Sequence, residues 1–508
     1  MAQASMTDKV TLQSPSTPVT GELRPHSVLA ETTITDPVGS KLVVSIAAVY
    51  IFLLESRVLD ISPIWWLHIP LILLILLIVI TLAKGSFRIT FQSKISIAFA
   101  LFTGWVALSV PFSKWRFASI GPLESQIQAL VIFIIIVQLI RTPAQYRKIT
   151  GAYAYAILFA SVLSFYFGRS VENGRLALAN GTLGDPNEFA LALVVGLPFW
   201  WDKANVAKGP KKIYCLLCTA PILLAFLKTG SRSGLFTLAM LVFVTFLLAP
   251  ITRKMLIAAG CLILVIASSL LLPDYLKARY QTIFSPADAN TLDKRDVKHL
   301  DSDIASSEER KALLIQSIQM TFQNPIFGVG PGVFSYASWD QRKEESGVGG
   351  LAQVTHNTYT QISSETGIPG FLLFAATMVM VLKSAFSAYR ALKDTDPVMA
   401  KTGSYLFSML AAFAVGIFFL SVGYTHIVST LFALTVALSN LRDSSANQAQ
   451  VKSQFAVAGS ATPVSARAKP LKPVATTLRA RGPFANSKAL RNAGLPNKRP
   501  PVNSSLPN

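Results

Sequence analysis

Long apolar stretches with no charged residue in their interiors recur along this chain, each near the length a helix needs to cross about 30 Å of hydrocarbon. Twelve of them fall near residues 42–54, 65–82, 95–110, 124–140, 151–167, 188–200, 213–227, 233–249, 255–272, 367–382, 403–422 and 427–440. In lipid the backbone polar groups of such a stretch must be satisfied within the segment, so the stretches must be helices. Composition agrees, because 52% of the 508 residues are hydrophobic and only 14% are charged, far from the balance of a soluble domain. The expectation is an all-α, polytopic membrane bundle of about twelve transmembrane helices over residues 41–440, interrupted by one long loop at residues 273–355.

Charge sets the orientation. With both ends inside, the five inner short loops carry sixteen Lys and Arg, and the five outer ones carry seven. That bias is the positive-inside signal, and it puts the long loop outside, on the periplasmic face if the membrane is a bacterial inner membrane. Residues 1–40 are rich in Ser, Thr and Pro without an apolar core, so they read as a disordered cytoplasmic lead and not as a cleavable signal. Residues 441–508 hold eleven basic residues and one acid, Asp443, and read as a basic disordered cytoplasmic tail, suited to solvent or to anionic lipid headgroups. The tail has no interleaved aromatics and no folded module, so nucleic acid is not an expected partner. Cys215, Cys218 and Cys261 lie in apolar stretches and imply neither a disulfide framework nor a metal site.

The spans hold no Asp, Glu, Lys or Arg in their apolar cores, which weighs against an ion-coupled transporter. Polar residues gather instead at the outer ends of spans: Arg175 with Asp185-Pro186-Asn187, Arg232 within Thr229-Gly230-Ser231-Arg232-Ser233-Gly234, and His356 at the close of the long loop, with His426 in the last outer turn as an addition. An outer arginine runs against the charge bias. A guanidinium grips phosphate through paired hydrogen bonds, or else merely caps carbonyls or snorkels. Histidine at the interface is suited to moving a proton. With no nucleotide pool outside the cytoplasm, synthesis on that face needs a donor activated beforehand, and a saccharide on a polyprenyl diphosphate fits. Arginines would stabilise the departing diphosphate, and a histidine base near an acceptor hydroxyl is typically worth about 10² to 10⁴ in rate. No cofactor or metal is required. Gly328-Val329-Gly330-Pro331-Gly332 reads as a structural turn and not a dinucleotide loop, and Asp301-Ser302-Asp303 as solvated surface.

In order and on one face, these elements resemble the O-antigen ligase and O-antigen polymerase superfamily of membrane glycosyltransferases, GT-C-like in architecture, over about residues 174–382. The residues that carry the resemblance are Gly174-Arg175 with Gly181-Thr182-Leu183-Gly184-Asp185-Pro186-Asn187, the Thr229–Gly234 turn, Arg310 followed by Asn324-Pro325-Ile326-Phe327-Gly328-Val329-Gly330, and His356-Asn357 with Tyr359, Glu365 and Gly367. Leu314 departs from the pattern, standing where the family often has Trp. The resemblance implies that Arg175, Arg232 and Arg310 bind the donor diphosphate, that His356 activates the acceptor, and that Asn187, Asn357, Tyr359 and Glu365 support them. It implies an inverting transfer or polymerisation of saccharide from a polyprenyl-diphosphate-linked glycan to a saccharide or glycolipid acceptor. The setting is O-antigen or exopolysaccharide synthesis in the inner membrane, with other polysaccharide-assembly proteins as expected partners. The rival from another class is an exporter or flippase that binds the same diphosphate without chemistry. Leu313, Leu314, Ile318 and Phe322, at helical spacing after Arg310, suit a loop helix lying on the membrane rim or packing on the bundle.

Overall fold

The computed structural model describes residues 40–460 apart from 63–64, 86, 172–173, 179–180, 282–293 and 347–351. For some helical residues, chiefly 294–307 and 448–460, only the backbone is described. Met1–Gln450 form one compact unit, and of the second, Val451–Asn508, only helical backbone at 451–460 is described. The expected N-terminal lead therefore lies outside the described residues, as does the tail beyond Ser460.

Helices make up nearly all of the described chain. They run α1 (Lys41–Ser56), α2 (Val58–Ile61), α3 (Ile69–Lys84), α4 (Phe87–Phe91), α5 (Lys94–Ser109), α6 (Arg116–Leu139) and α7 (Pro143–Phe167), up to a two-stranded hairpin, β1 (Arg169–Val171) and β2 (Arg175–Ala177). Then follow α8 (Pro186–Val206), α9 (Pro210–Leu217), α10 (Thr219–Lys228), α11 (Arg232–Leu248), α12 (Ile251–Leu271), α13 (Asp274–Gln281), α14 (Lys294–Gln323), α15 (Phe334–Ser346), α16 (Thr358–Leu392), α17 (Pro397–Gly416) and α18 (His426–Ser460). The starts are written in the sequence: Thr142 and Gln145 form a capping box on α7, and Asp185 caps α8 ahead of Pro186.

Each of the twelve apolar stretches falls largely on helix. By length and composition, seven helical segments among the described residues can cross a membrane: α5, α6, α7, α9 with α10, α12, α16 and α17, with α3 and α11 apolar but shorter. The other three stretches lie on α1, α8 and α18, with a charge just past each stretch at Glu55, Asp202 and Arg442.

Helix α8 is the centre of the bundle. It packs against α7, α9, α10, α11 and α17, and its Phe189–Trp200 stretch is buried on every face. Around it, α1 packs on α7, α5 on α16, and α17 on α16 and α11. At the opposite extreme no residue of α12 is buried, and most of its Leu, Ile and Val side chains are exposed, with Leu264 packed against the core. A helix apolar all round is stable in that state only with hydrocarbon about it.

Three local departures from the sequence reading have physical causes. The apolar run at 213–227 is two helices, because Pro221 has no N–H to offer the preceding turn and the chain tightens at Cys218. The all-helical expectation misses the antiparallel β1–β2 hairpin, which pairs Val171 with Arg175. The last helix also continues twenty residues past Asn440 to Ser460, where the chain was expected to lose structure. No Gly occurs in that stretch before Gly459 and no Pro before Pro463, so nothing local stops it.

Within the long loop, α14 carries two apolar faces in place of one. Leu313 and Met320 are buried with Val329, Val333, Phe334 and Ala337 in a small core of the loop's own. Ile315, Ile318 and Phe322 are exposed. The expected stripe therefore divides, with Leu313 turned inward and Ile318 and Phe322 outward. The side chains of Asp301 and Asp303 lie outside the described residues.

Candidate active site

Arg175 sits on β2, just after Gly174, whose φ of 69° is a left-handed turn conformation. Its guanidinium is fixed at two points. Nε donates to the Thr229 carbonyl at 2.9 Å, and Nη2 donates to Asn187 Oδ1 at 2.8 Å. The same Asn187 oxygen accepts from Ser231 Oγ at 2.8 Å. Ser231 in turn caps α11 by accepting from the Gly234 amide at 3.0 Å, so Arg232 is the first residue of that helix. One buried amide thereby joins three segments far apart in sequence. Asn187 lies in the first turn of α8, whose cap Asp185 accepts from the Asn187 amide at 2.7 Å and the Glu188 amide at 3.2 Å. Two helix N-termini and two half-buried arginines meet here, an arrangement favourable to an anion.

His356 is built differently. Its φ of 50° is left-handed, a conformation that costs a non-glycine residue about 1–2 kcal/mol unless its surroundings impose it. The neighbours do impose it. Thr355 Oγ1 bonds Ser421 Oγ at 2.8 Å, Thr358 Oγ1 donates to the Leu420 carbonyl at 2.6 Å and accepts from the Val422 amide at 3.1 Å. Asn357 caps α16, its Oδ1 accepting from the Tyr359 and Thr360 amides at 2.9 and 3.2 Å. The residues on both sides of His356 are therefore pinned to the segment after α17. Burial, and next the Arg310 guanidinium, push the His356 pKa below the usual imidazole value, while Asp185 and Glu309 oppose them. The imidazole is thus mainly neutral at pH 7 and able to accept a proton.

The other supporting residues hold the frame and do not join the arginines. Tyr359 donates its hydroxyl to the Ala414 carbonyl at 2.9 Å, tying α16 to α17. Glu365 is buried among the Gly332 and Phe334 main chain and the Gln361 and Tyr424 side chains. Its helix breaks at Gly367, at φ 73°, where the Pro325–Gly330 turn docks edge-on: Val329 and Gly330 amides donate to the Ser364 and Glu365 carbonyls at 2.8 and 3.0 Å, and the Ile368 amide donates to the Pro325 carbonyl at 2.8 Å. Trp105 Nε1 satisfies the Thr366 carbonyl at 2.9 Å, and its ring stacks on Phe327. The glycine-rich element is a docking turn.

Among the residues expected from sequence, then, Arg175 and Asn187 bond directly, and Arg232 follows the serine that shares their hydrogen bond. Arg310 and Asp185 act on His356 electrostatically. The sequence reading passed over Arg279, whose Nε donates to the Gly230 carbonyl at 2.8 Å, and Tyr280, whose hydroxyl donates to the Leu227 carbonyl at 3.2 Å. Burial pushes the Tyr280 hydroxyl up to about 12, against the lowering effect of Arg175 and Arg279, so it stays a donor. Arg279 was detectable by the argument used for the others, as a further arginine on the side poor in them.

Residues 217–375 match the O-antigen ligase family. The match runs from the end of α9 into α16 and takes in Arg232, Arg310 and His356, while Arg175 and Asn187 fall ahead of it. No curated protein matches the chain. With its apolar helices, the O-antigen ligase match makes this a multi-pass membrane protein of polysaccharide biosynthesis, with activity of the ligase or polymerase type.

Proposed function

We propose that the protein transfers a saccharide from a polyprenyl-diphosphate-linked donor to an acceptor hydroxyl on the periplasmic face of the inner membrane, with both chain ends cytoplasmic and about twelve spans. Arg175, Arg232 and Arg310 bind the diphosphate, Asn187 sets Arg175, and His356 removes the acceptor's proton. The observation that carries this reading is His356. A neutral imidazole stands in an imposed left-handed conformation, within electrostatic reach of Arg310 and of Asp185, the cap of the helix whose first turn holds Arg175.

In the reaction the acceptor oxygen attacks the anomeric carbon as the bond to the diphosphate oxygen breaks. The acceptor proton passes to His356, and the leaving diphosphate keeps the electron pair. Positive charge grows on the sugar and negative charge on the departing phosphate, and it is the second that arginines stabilise. A single displacement inverts the anomeric configuration. The acceptor is a saccharide or glycolipid, and the family match is common to ligases and polymerases.

The test uses purified protein in liposomes with a polyprenyl-diphosphate oligosaccharide and several acceptors, comparing wild type with His356→Ala and Arg232→Ala. Transfer by the wild type, lost in both folded variants, supports the enzyme. Movement of donor between leaflets without transfer overturns it in favour of a flippase.

A further inference from the structure

Two of the left-handed glycines stand next to arginines of the site, and both are covered by the same short helix. Gly174, at φ 69°, precedes Arg175, and Gly230, at φ 58°, precedes Ser231-Arg232. A Cβ on Gly174 would meet the Tyr275 hydroxyl at 2.5 Å, and one on Gly230 would meet Leu276 Cδ2 at 2.8 Å and Arg279 Cδ at 3.3 Å. Tyr275, Leu276 and Arg279 all belong to α13. The polar contacts repeat the pattern. Tyr275 donates to the Gly174 carbonyl at 3.0 Å, Arg279 to the Gly230 carbonyl at 2.8 Å and Tyr280 to the Leu227 carbonyl at 3.2 Å, while Leu276 is buried against the bundle.

From this we infer that α13 is a clamp that sets the separation of Arg175 and Arg232, and that Arg279 is a positioning residue for the diphosphate site. The inference rests on the reading of Arg175 and Arg232 as diphosphate ligands. Two anchor points, Gly174 and Gly230, 56 residues apart in sequence, are held by side chains within two turns of one helix. The arginine turns are also linked by the Arg175–Thr229 and Arg175–Asn187–Ser231 bonds, which involve the proposed ligand guanidinium itself. A clamp made by other residues leaves the Arg175 fork in one orientation, and paired recognition of a diphosphate needs that orientation fixed before the ligand arrives. The Arg279–Gly230 bond is charge-assisted and partly buried, so its loss loosens the turn by roughly tenfold to a hundredfold in local opening.

The experiment compares wild type, Arg279→Ala, Arg279→Lys and Arg232→Ala, together with the Arg232→Ala, Arg279→Ala double variant, in detergent and in liposomes. Hydrogen exchange of the amides between residues 227 and 234 needs no donor. Roughly tenfold or faster exchange there in Arg279→Ala, with other segments unchanged and partial restoration by Lys, is the expected result. Unchanged exchange overturns the clamp. In the transfer assay Arg279→Ala raises the donor KM about tenfold or more with kcat nearly kept, and adds little when Arg232 is already Ala. Full additivity overturns positioning and makes Arg279 a direct ligand. If the wild type transfers nothing, the diphosphate reading fails while the exchange result still decides whether α13 holds the turn.

Discussion

Asn187 separates the electrostatic role of Arg175 from its structural one. Its Oδ1 accepts from Arg175 Nη2 and from Ser231 Oγ, both at 2.8 Å, and Asn187 is only 5% exposed. Asn187→Ala removes the acceptor that the half-buried Arg175 Nη2 and the buried Ser231 hydroxyl share, which costs about 2–4 kcal/mol from one charged and one neutral hydrogen bond. Asn187→Asp keeps an oxygen in the same place and so keeps both bonds, with the one to Arg175 strengthened. Thermal unfolding in detergent should therefore show Ala several degrees below wild type and Asp at or above it. Donor affinity should follow another order. The Asp charge repels a diphosphate held by Arg175, by about 3 kcal/mol at a separation of ~6 Å and an effective dielectric of ~20, and this is roughly a hundredfold in KM. Asp, the stable variant, is then the weaker in donor KM relative to its fold, and the penalty shrinks with added salt. A folded Asn187→Asp protein with wild-type donor KM would refute the idea that Arg175 meets the diphosphate.

The depressed His356 pKa places the acidic limb of kcat/KM below pH 6.5, and Arg310→Gln, by removing a positive neighbour, should move that limb upward; a limb that stays put argues against Arg310 acting on His356. The same depression ties stability to pH. Between the folded pKa and 6.5 the unfolded chain binds the proton and the folded chain does not, so this contribution is whole above pH 6.5 and falls as pH drops through that window, a slope His356→Gln should flatten in unfolding measurements. Gly367→Ala puts a Cβ onto the Ile326 carbonyl in a left-handed conformation and should lower the melting temperature sharply, by more than about 2 kcal/mol of stability. Tyr359→Phe loses only the Ala414 bond and should cost about 0.5–1.5 kcal/mol in unfolding with donor KM unchanged. Asp202→Ala, which removes the 2.6 Å acceptor of the Thr402 hydroxyl and leaves it the Val398 carbonyl at 3.4 Å, should likewise lower stability and leave donor KM alone.

The helices were legible because freedom from charge over a span-length run admits almost no other structure in lipid. Their ends were less so. Pro221 marked the break between α9 and α10, but the continuation of α18 to Ser460 depends on the mere absence of a stop signal, which a basic composition disguises. The hairpin at residues 169–177 is too short to show alternation. At the site, residue types and order pointed to Arg175, Asn187, Arg232, Arg310 and His356; the structure bonds Arg175 to Asn187, puts Arg232 directly after Ser231, which bonds the same Asn187 oxygen, and sets Arg310 within electrostatic reach of His356. What sequence did not carry was the sharing of one Asn187 oxygen by Arg175 and Ser231, or the left-handed backbone of His356, since both arise from tertiary packing. Tyr359 and Glu365 share the motif of His356 yet point into the frame, because a helix sends residues three and nine positions on to faces that α17 and the glycine turn cover.

The geometry of α8 explains why the fold can bear charge at all. Its middle, Phe189–Trp200, is apolar and buried on every side, so an ionised group there would lose its water without gaining a partner. Polar groups are therefore driven to its two ends. Asn187 at the start serves the arginine cluster, whereas Asp202, fifteen residues on, is held by Thr402. At 1.5 Å per residue those ends are about 22 Å apart, which leaves less than about 1 kcal/mol between unit charges at an effective dielectric of ~20. An ionised group at one end thus has only a weak direct hold on a ligand at the other. Glu55 is buried near the end of α1 with His426 Nε2 3.4 Å away. Asp202 ties α8 to α17 through Thr402, whereas at the starts of α8 and α11 Asn187 and Ser231 share one hydrogen-bonded centre with Arg175.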